Sequence, residues 1–307
     1  MVVRLDQAAT TLAGTPGCDD DEEDSRVPAW LRNHPELRRR GILLTDFFQP
    51  PTVYRTAVEG PNHVIKIVQP DDEEAAIYRL LQHLKSPKNH TIPCEIIEYA
   101  DQQPILLMPC LSHFVGAGIY DWSLSRMLSV FLQVVEGVEY LHDNNIAHLD
   151  ICNGNVLIAT EDDMEANVQL EVGRVYIIDF QTARHFNAGP GVQRAIHLPP
   201  SQFKPPPGMD RFDPYSWDVY CLGKLFEQMA KRVSWTKRGS FPWIVRRIIQ
   251  WMVGNEQGCA DVCHCRPTVR QARRVLSAIL WVTYASEFCA TLTARILRPL
   301  TTFPHSQ

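Results

Sequence analysis

Positive charge is not in excess. Thirty Lys and Arg stand against 35 Asp and Glu, a formal net charge of −5. The composition therefore gives no support to a nucleic-acid surface, which needs clustered cations to meet phosphates. The first residues lack the basic start, apolar run and small-residue cleavage site of a secretory signal. A long apolar run is missing too. The best stretch, Val275 to Ala290, is broken by Glu287 after about twelve uncharged residues, where a spanning helix needs roughly 20. These absences predict a soluble, cytoplasmic protein with no membrane and no nucleic-acid partner. The nine cysteines are odd in number and scattered, which reads as reduced thiols rather than a disulfide framework. Cys259, Cys263, His264 and Cys265 crowd together, but their spacing is poor for zinc and no second CxxC pair exists, so they read as a loop. No internal repeat is found.

What is there is ordinary globular material. Of 307 residues, 45% are hydrophobic, enough for one large domain or two small ones. Residues 1–26 end in the acidic run Asp19 to Asp24, a solvated tail by composition. From Gly41 the texture changes. Ile42–Phe48, Thr52–Val58 and His63–Val68 read as strands, followed by a helix opened by Pro70 and the acids Asp71 to Glu74. Ile77, Leu80, Leu81 and Leu84 give that helix an apolar face. Ile96–Tyr99 and Ile105–Met108 read as two more strands. The rest is mainly helical. Apolar residues recur at helical spacing from Leu124 to His142, over Trp217–Ala230, over Trp243–Met252 and over Val269–Leu280. Short strands are predicted at Val156–Ala159 and Val175–Ile178, with 160–173 as a hairpin extension between them. Residues 187–215 are rich in Pro and Gly, as a long functional loop would be.

The segment His148-Leu149-Asp150-Ile151-Cys152-Asn153-Gly154-Asn155 places a carboxylate five residues before an amide, between a long amphipathic helix and a strand. Asp179 follows 24 residues beyond Asn155, at the end of an apolar strand. Lys66 stands alone in an apolar strand, where a buried charge needs an anionic partner. Each has a plainer reading. Lys66 suits an edge strand from which it snorkels to solvent, and Asp150, Asn155 and Asp179 suit turn caps.

Together and in this order, these residues resemble the protein-kinase signature set. His148-Leu149-Asp150 with Asn155 resembles the catalytic loop H-R-D-x-x-x-x-N, Asp179-Phe180-Gln181 resembles D-F-G, and Val64-Ile65-Lys66 resembles V-A-I-K. Trp217 to Gly223 looks like D-x-W-S-x-G, and Arg266-Pro267-Thr268 like the R-P-T before a late helix. The resemblance covers roughly residues 41 to 282. With Met108-Pro109 at the hinge and a short link after the lysine, the chain looks like the divergent kinase-like families of fungi.

The resemblance implies an α+β bilobal fold, with a small β-rich lobe over about 41–108, a hinge at 109–111 and a helical lobe over 112–282. The domain as a whole spans 27–282 and is followed by a C-terminal extension over 283–307. It implies ATP and Mg2+ as cofactors and a protein substrate carrying the accepting hydroxyl, with Ser/Thr favoured. Asp150 would orient that hydroxyl, Asn155 and Asp179 would hold magnesium, and Lys66 would touch the α- and β-phosphates. Glu74 is the favoured partner of Lys66, with Glu73 left open. Adenine would lie between Val53 and Val64 above and Leu157 below, with Met108 as gatekeeper and Pro109, Cys110 and Leu111 reading its edge. His148 and Asp218 are structural in this scheme.

The sequence also departs from the family. Phe47-Phe48-Gln49-Pro50-Pro51-Thr52-Val53 replaces the glycine-rich loop, and two prolines offer the phosphates no N–H. Leu149 replaces the catalytic-loop arginine, Cys152 the lysine two residues after the acid, and Gln181 the D-F-G glycine. Pro199-Pro200-Ser201 is the nearest match to A-P-E and lacks its acid. Three functions follow from this mixture: an active protein kinase, a pseudokinase that binds or scaffolds without turnover, or a small-molecule kinase.

Overall fold

The computed structural model describes residues 27–49, 52–56, 62–99, 102–166, 169–206, 208–233, 242–254 and 261–296. The acidic tail, Pro50, Pro51 and Cys259 lie outside them. The small lobe is built on β1 (Leu44–Gln49), β2 (Val53–Thr56), β3 (His63–Ile67), β4 (Glu95–Ile97) and β5 (Ile105–Pro109). They form an antiparallel sheet of order β1-β2-β3-β5-β4. Successive side chains on a strand point to opposite faces. Ile65, Ile67, Ile105 and Leu107 accordingly enter one core, while Leu106 and Met108 enter another. Both faces are covered, which is why these strands are almost wholly apolar.

The outer cover is two short helices, α1 (Ala29–Arg32) and α2 (Pro35–Arg39), which bring Leu31 and Leu37 onto Tyr54 and Ile65. The sequence reading gave residues 27–40 no element. Arg40, just past α2, reaches Glu95 of β4 at 2.6 Å. The inner face receives α3 (Glu74–His83) through Ile77, Tyr78 and Leu81. This helix starts at Glu74, so Asp71 and Asp72 precede it instead of lying in its first turn.

In the large lobe, α4 (Leu124–Asp143) is the buried axis, started by Ser123, whose side chain accepts from the Arg126 N–H. Two antiparallel strands, β7 (Val156–Ile158) and β8 (Val175–Ile177), lie under the cleft. Their connection holds a short helix, α5 (Glu161–Ala166), where a hairpin extension was expected. Two-residue pairings, β6 (Ile146–Ala147) with β9 (Arg184–His185) and β10 (Ile196–His197) with β11 (Arg211–Phe212), pin the loops that follow. Next comes α6 (Pro214–Arg232), buried along most of its length, with Phe226 stacked on Phe131 of α4 at 4.0 Å. Gly223 lets α6 meet α7 (Trp243–Val253) closely, since a Cβ there would lie 2.9 Å from Val253 Cγ2.

The last helix, α8 (Val269–Ile296), runs past the predicted end at Leu280, and the boundary drawn at 282 falls inside it. Its first half packs on α4, where Arg270 reaches Asp143 at 2.7 Å and Arg273 reaches Glu139 at 2.5 Å. Beyond that the packing stops: Trp281 is 74% exposed and Phe288 65%. Val269–Thr293 is also long and apolar enough to cross a membrane by length and composition. The single charge of Glu287 does not exclude it, as counting uncharged residues alone had suggested.

Candidate active site

β3 is an interior strand, so Lys66 is not an edge residue that snorkels outward. Its Nζ is buried and donates to Glu74 Oε1 at 2.9 Å and to Asp179 Oδ1 at 2.6 Å. The helix phase explains why Glu74 and not Glu73 is the partner. Ile77 and Leu81, three and seven residues on, face the same core. Glu73, one position back, accepts from the His185 N–H at 3.0 Å instead. Glu74 Oε1 also accepts from the Phe180 N–H at 3.0 Å, which ties α3 to the segment after β8. Burial opposes the charge on Lys66, but the Glu74 and Asp179 carboxylates outweigh it and hold its pKa above the ordinary value. Burial likewise opposes the charge on Asp179, yet Lys66 pulls its pKa below the usual carboxylate range. For Glu74, burial wins and its pKa is raised.

Below the lysine, Asn155 Nδ2 donates to the Asp150 carbonyl at 2.9 Å and to Asp150 Oδ2 at 3.0 Å. The amide is thereby held facing the acid, with its own carbonyl oxygen left as an acceptor. Asp150 Oδ1 accepts from the backbone N–H of Gln202 at 2.6 Å. Burial raises the pKa of Asp150, and that amide bond offsets only part of the effect.

Both acids depend on strained backbone. Leu149 (φ 68°) and Asp179 (φ 65°) occupy the left-handed region, at roughly 1–2 kcal/mol each. At Leu149 the cost is offset by Asp218 on α6, which is fully buried and accepts from the N–H groups of His148 at 2.9 Å and Leu149 at 2.8 Å. Trp217 Nε1 holds the Leu149 carbonyl at 3.0 Å. A column of rings joins the lobes: Tyr78 lies 5.0 Å from Phe180, and Phe180 lies 5.0 Å from His148. Tyr78 also places its hydroxyl 3.7 Å from Met108 Sδ.

Between the lobes lies a cavity of about 640 Å3. Val53, Val64, Lys66, Met108, Pro109, Cys110, Leu111, Asn155, Leu157 and Asp179 all line it. Glu74 and Asp150 stand outside that lining. Thr52, from the segment that replaces the glycine-rich loop, also lines it, as do Gln69, His113 and Gln202, to which sequence reasoning gave no part. His113 Nδ1 is buried without a hydrogen-bond partner. Gln202 acts through its backbone, which leaves no trace in residue type. A groove of about 760 Å3 on the small lobe, among His63, Arg79, Glu95 and Glu98, lies away from the acids.

A two-lobed fold with one lysine between two acids, an acid–amide pair beneath it and a cavity beside them is the arrangement of a kinase-like fold. The protein kinase domain model matches residues 65–248, and the chain belongs to the protein kinase family. It is similar to serine/threonine-protein kinase dst4 of Dictyostelium discoideum, at 30% identity over 112 residues, 35% of this chain and 21% of that protein. It is also similar to cyclin-dependent kinase 12 of Drosophila melanogaster, at 28% identity over 141 residues, 43% of this chain and 10% of that protein. The chain thus matches about a fifth or less of the length of these curated relatives.

Proposed function

We propose that the chain is an ATP-dependent protein kinase that transfers a phosphoryl group to a protein hydroxyl, with Ser/Thr favoured. The observation that carries this reading is the closed Lys66–Glu74–Asp179 arrangement above the Asp150–Asn155 pair. The domain is taken to run from residue 27 into α8, hinged at 109–111, in a cytoplasmic protein.

Each residue has work that suits the geometry. Lys66, held charged by two acids, is a cation for the α- and β-phosphates. Asn155 and Asp179 offer the hard oxygens that magnesium prefers. When bound, the nucleotide would supply the transferable phosphoryl group and the magnesium held by Asn155 and Asp179 would offset part of the triphosphate's charge. Pro109 has no N–H and the Cys110 N–H is given to Asn62 at 2.9 Å. Leu111 is therefore the hinge donor for the adenine edge. Val53 and Val64 roof the base and Leu157 floors it. The substrate hydroxyl reaches Asp150 by taking over the oxygen now held by the Gln202 N–H.

The experiment is thermal unfolding with and without Mg-ATP, for wild type, Lys66→Ala and Asp179→Asn, beside phosphotransfer by Asp150→Asn. A magnesium-dependent rise in Tm that both substitutions remove, with transfer lost and nucleotide binding kept in Asp150→Asn, supports the reading. No rise at millimolar ATP, or unchanged transfer by Asp150→Asn, overturns it.

One observation favours the second reading, a binding module without turnover. Burial, with Asp150 beside it, pushes the Cys152 thiol up to about 11. A neutral group therefore stands where the family keeps a lysine, and one lost transition-state contact of this kind costs roughly 10²–10³ in rate. Tight nucleotide binding with turnover no greater than an Asp150→Asn control would select that reading.

A further inference from the structure

The apolar face of α8 changes sides along its length. In the first half, Val269, Ala272, Leu276 and Leu280 recur three or four residues apart and enter the core of the large lobe. Carried on at the same spacing, that face becomes Thr283, Glu287 and Thr291. The opposite face does the reverse. It begins with Arg274 and Ala278 and continues as Trp281, Ala285, Phe288 and Leu292, all of them exposed. A helix that only overran its core would lose its apolar stripe or keep it on one side. Here a new stripe opens on the side turned away from the lobe, which marks a second contact surface. From Trp281 to Thr293 every residue except Thr283 is exposed, so the folded domain leaves that surface bare.

Area, charge and hydrogen bonding decide what covers it. From Trp281 to Leu292 the stripe is about 17 Å long on a helix about 10 Å wide, well short of the roughly 800 Å2 per partner that a stable dimer buries. Cations share its register at both ends, Arg274 seven residues before Trp281 and Arg295 fourteen after it, which complements a layer of phosphate headgroups. Trp281 on the stripe and Tyr284 at its edge are the two side-chain types that settle at headgroup level. Thr283, Thr291 and Thr293 donate their hydroxyls to the carbonyls of Ile279, Glu287 and Cys289 at 2.8, 2.8 and 2.9 Å. None of these hydroxyls therefore brings an unsatisfied donor to an apolar phase.

From this geometry we propose that the distal half of α8 lies in the surface of a bilayer carrying anionic lipid, with Trp281, Phe288 and Leu292 among the acyl chains and Arg274 at the phosphates. The helix does not cross. Its first half is held in the lobe, and Trp281–Ile296 supplies about 24 Å of helix against a hydrocarbon core of about 30 Å. Glu287, seven residues on from Leu280, falls on the lobe side and stays in water. The sequence reading set a membrane aside because of this residue, whose helix phase removes the objection. The contact holds the domain against a membrane with its apolar stripe down and the large lobe above. It does not depend on the nucleotide reading, since none of its residues lines that cavity.

The test floats the full-length protein with vesicles of phosphatidylcholine, alone or mixed with phosphatidylserine. The expected result is flotation with the mixed vesicles, weakened by salt and by leaving out phosphatidylserine. Phe288→Glu lowers the partition coefficient about tenfold or more, while Phe288→Leu leaves it nearly unchanged. Arg274→Gln lowers it several-fold on the mixed vesicles alone. All three variants keep the wild-type Tm, because these side chains lie outside the core. Four results would overturn the proposal: no flotation with either vesicle; flotation that Phe288→Glu leaves intact; resistance to extraction by alkaline carbonate, which marks a spanning helix; or a dimer in sedimentation equilibrium that Phe288→Glu disperses, which marks a second copy as the cover.

Discussion

Asp218→Asn separates the structural frame of the site from its chemistry. The carboxylate accepts three hydrogen bonds, from His142 Nε2 at 2.9 Å and the N–H groups of His148 and Leu149. His142 and His148 share Oδ2, and Leu149 uses Oδ1. An asparagine has one acceptor oxygen. Whichever way it turns, at least one buried backbone N–H faces an amide NH2, at about 1–3 kcal/mol. The bonds that survive change from charge-assisted to neutral, about 1 kcal/mol each. Relief of a buried charge works in the other direction, which leaves a net loss of about 2–4 kcal/mol against a typical 5–15 kcal/mol of stability. Urea unfolding at pH 7 reads this from the midpoint at unchanged slope. Leu149, freed of its anchor, relaxes out of its left-handed conformation and takes Asp150 with it. Phosphotransfer therefore falls further than nucleotide binding, which rests on Lys66 and the hinge. A loss below about 1 kcal/mol, or equal falls in binding and transfer, would refute the anchoring role of Asp218.

Opposite pH dependences are expected at the two cleft acids. Asp179, with its pKa depressed by Lys66, contributes stability that is present above the ordinary carboxylate range and lost as pH falls through its own lower value. The deficit of Asp179→Asn therefore shrinks on acidification. Asp150, raised by burial, penalises the fold progressively as pH climbs above the ordinary carboxylate value, so Asp150→Asn gains on wild type as pH rises from there; parallel curves of Tm against pH would contradict both. Gln202→Pro deletes the N–H on Asp150 Oδ1 and should lower KM for a peptide substrate several-fold, whereas Gln202→Ala should change little. Gly223→Ala should destabilise by about 1–3 kcal/mol through overpacking against Val253, measured by thermal unfolding.

How far the site could be read from sequence depended on which link of the argument carried it. The convergence of Asp150, Asn155 and Asp179 on one cleft was legible because they sit at fixed spacing on a short loop and a strand end, and spacing survives in sequence. Glu74 could be favoured as the partner of Lys66 but Glu73 could not be closed out, since adjacent carboxylates differ only in helix phase and the phase depends on where α3 begins. The helices α1 and α2 have four and five residues, too few for a period to show. The exposed half of α8 has no stop signal before its apolar pattern changes from core to surface.

The Gln202 contact and the strain at Leu149 and Asp179 could not be read at all. They belong to the backbone, which every residue shares, and the contacts of Gln202 and Leu149 come from partners 52 and 69 positions away in the chain. The consequence reaches function. A motif match reports which side chains are available, but the left-handed turn at Leu149 decides where the Asp150 carboxylate points. That turn persists only because α6 delivers a buried acid to it. Trp217 to Gly223, which resembles a large-lobe signature and whose Asp218 was read as a structural anchor, is in the folded chain the part that holds the segment leading to Asp150 in shape.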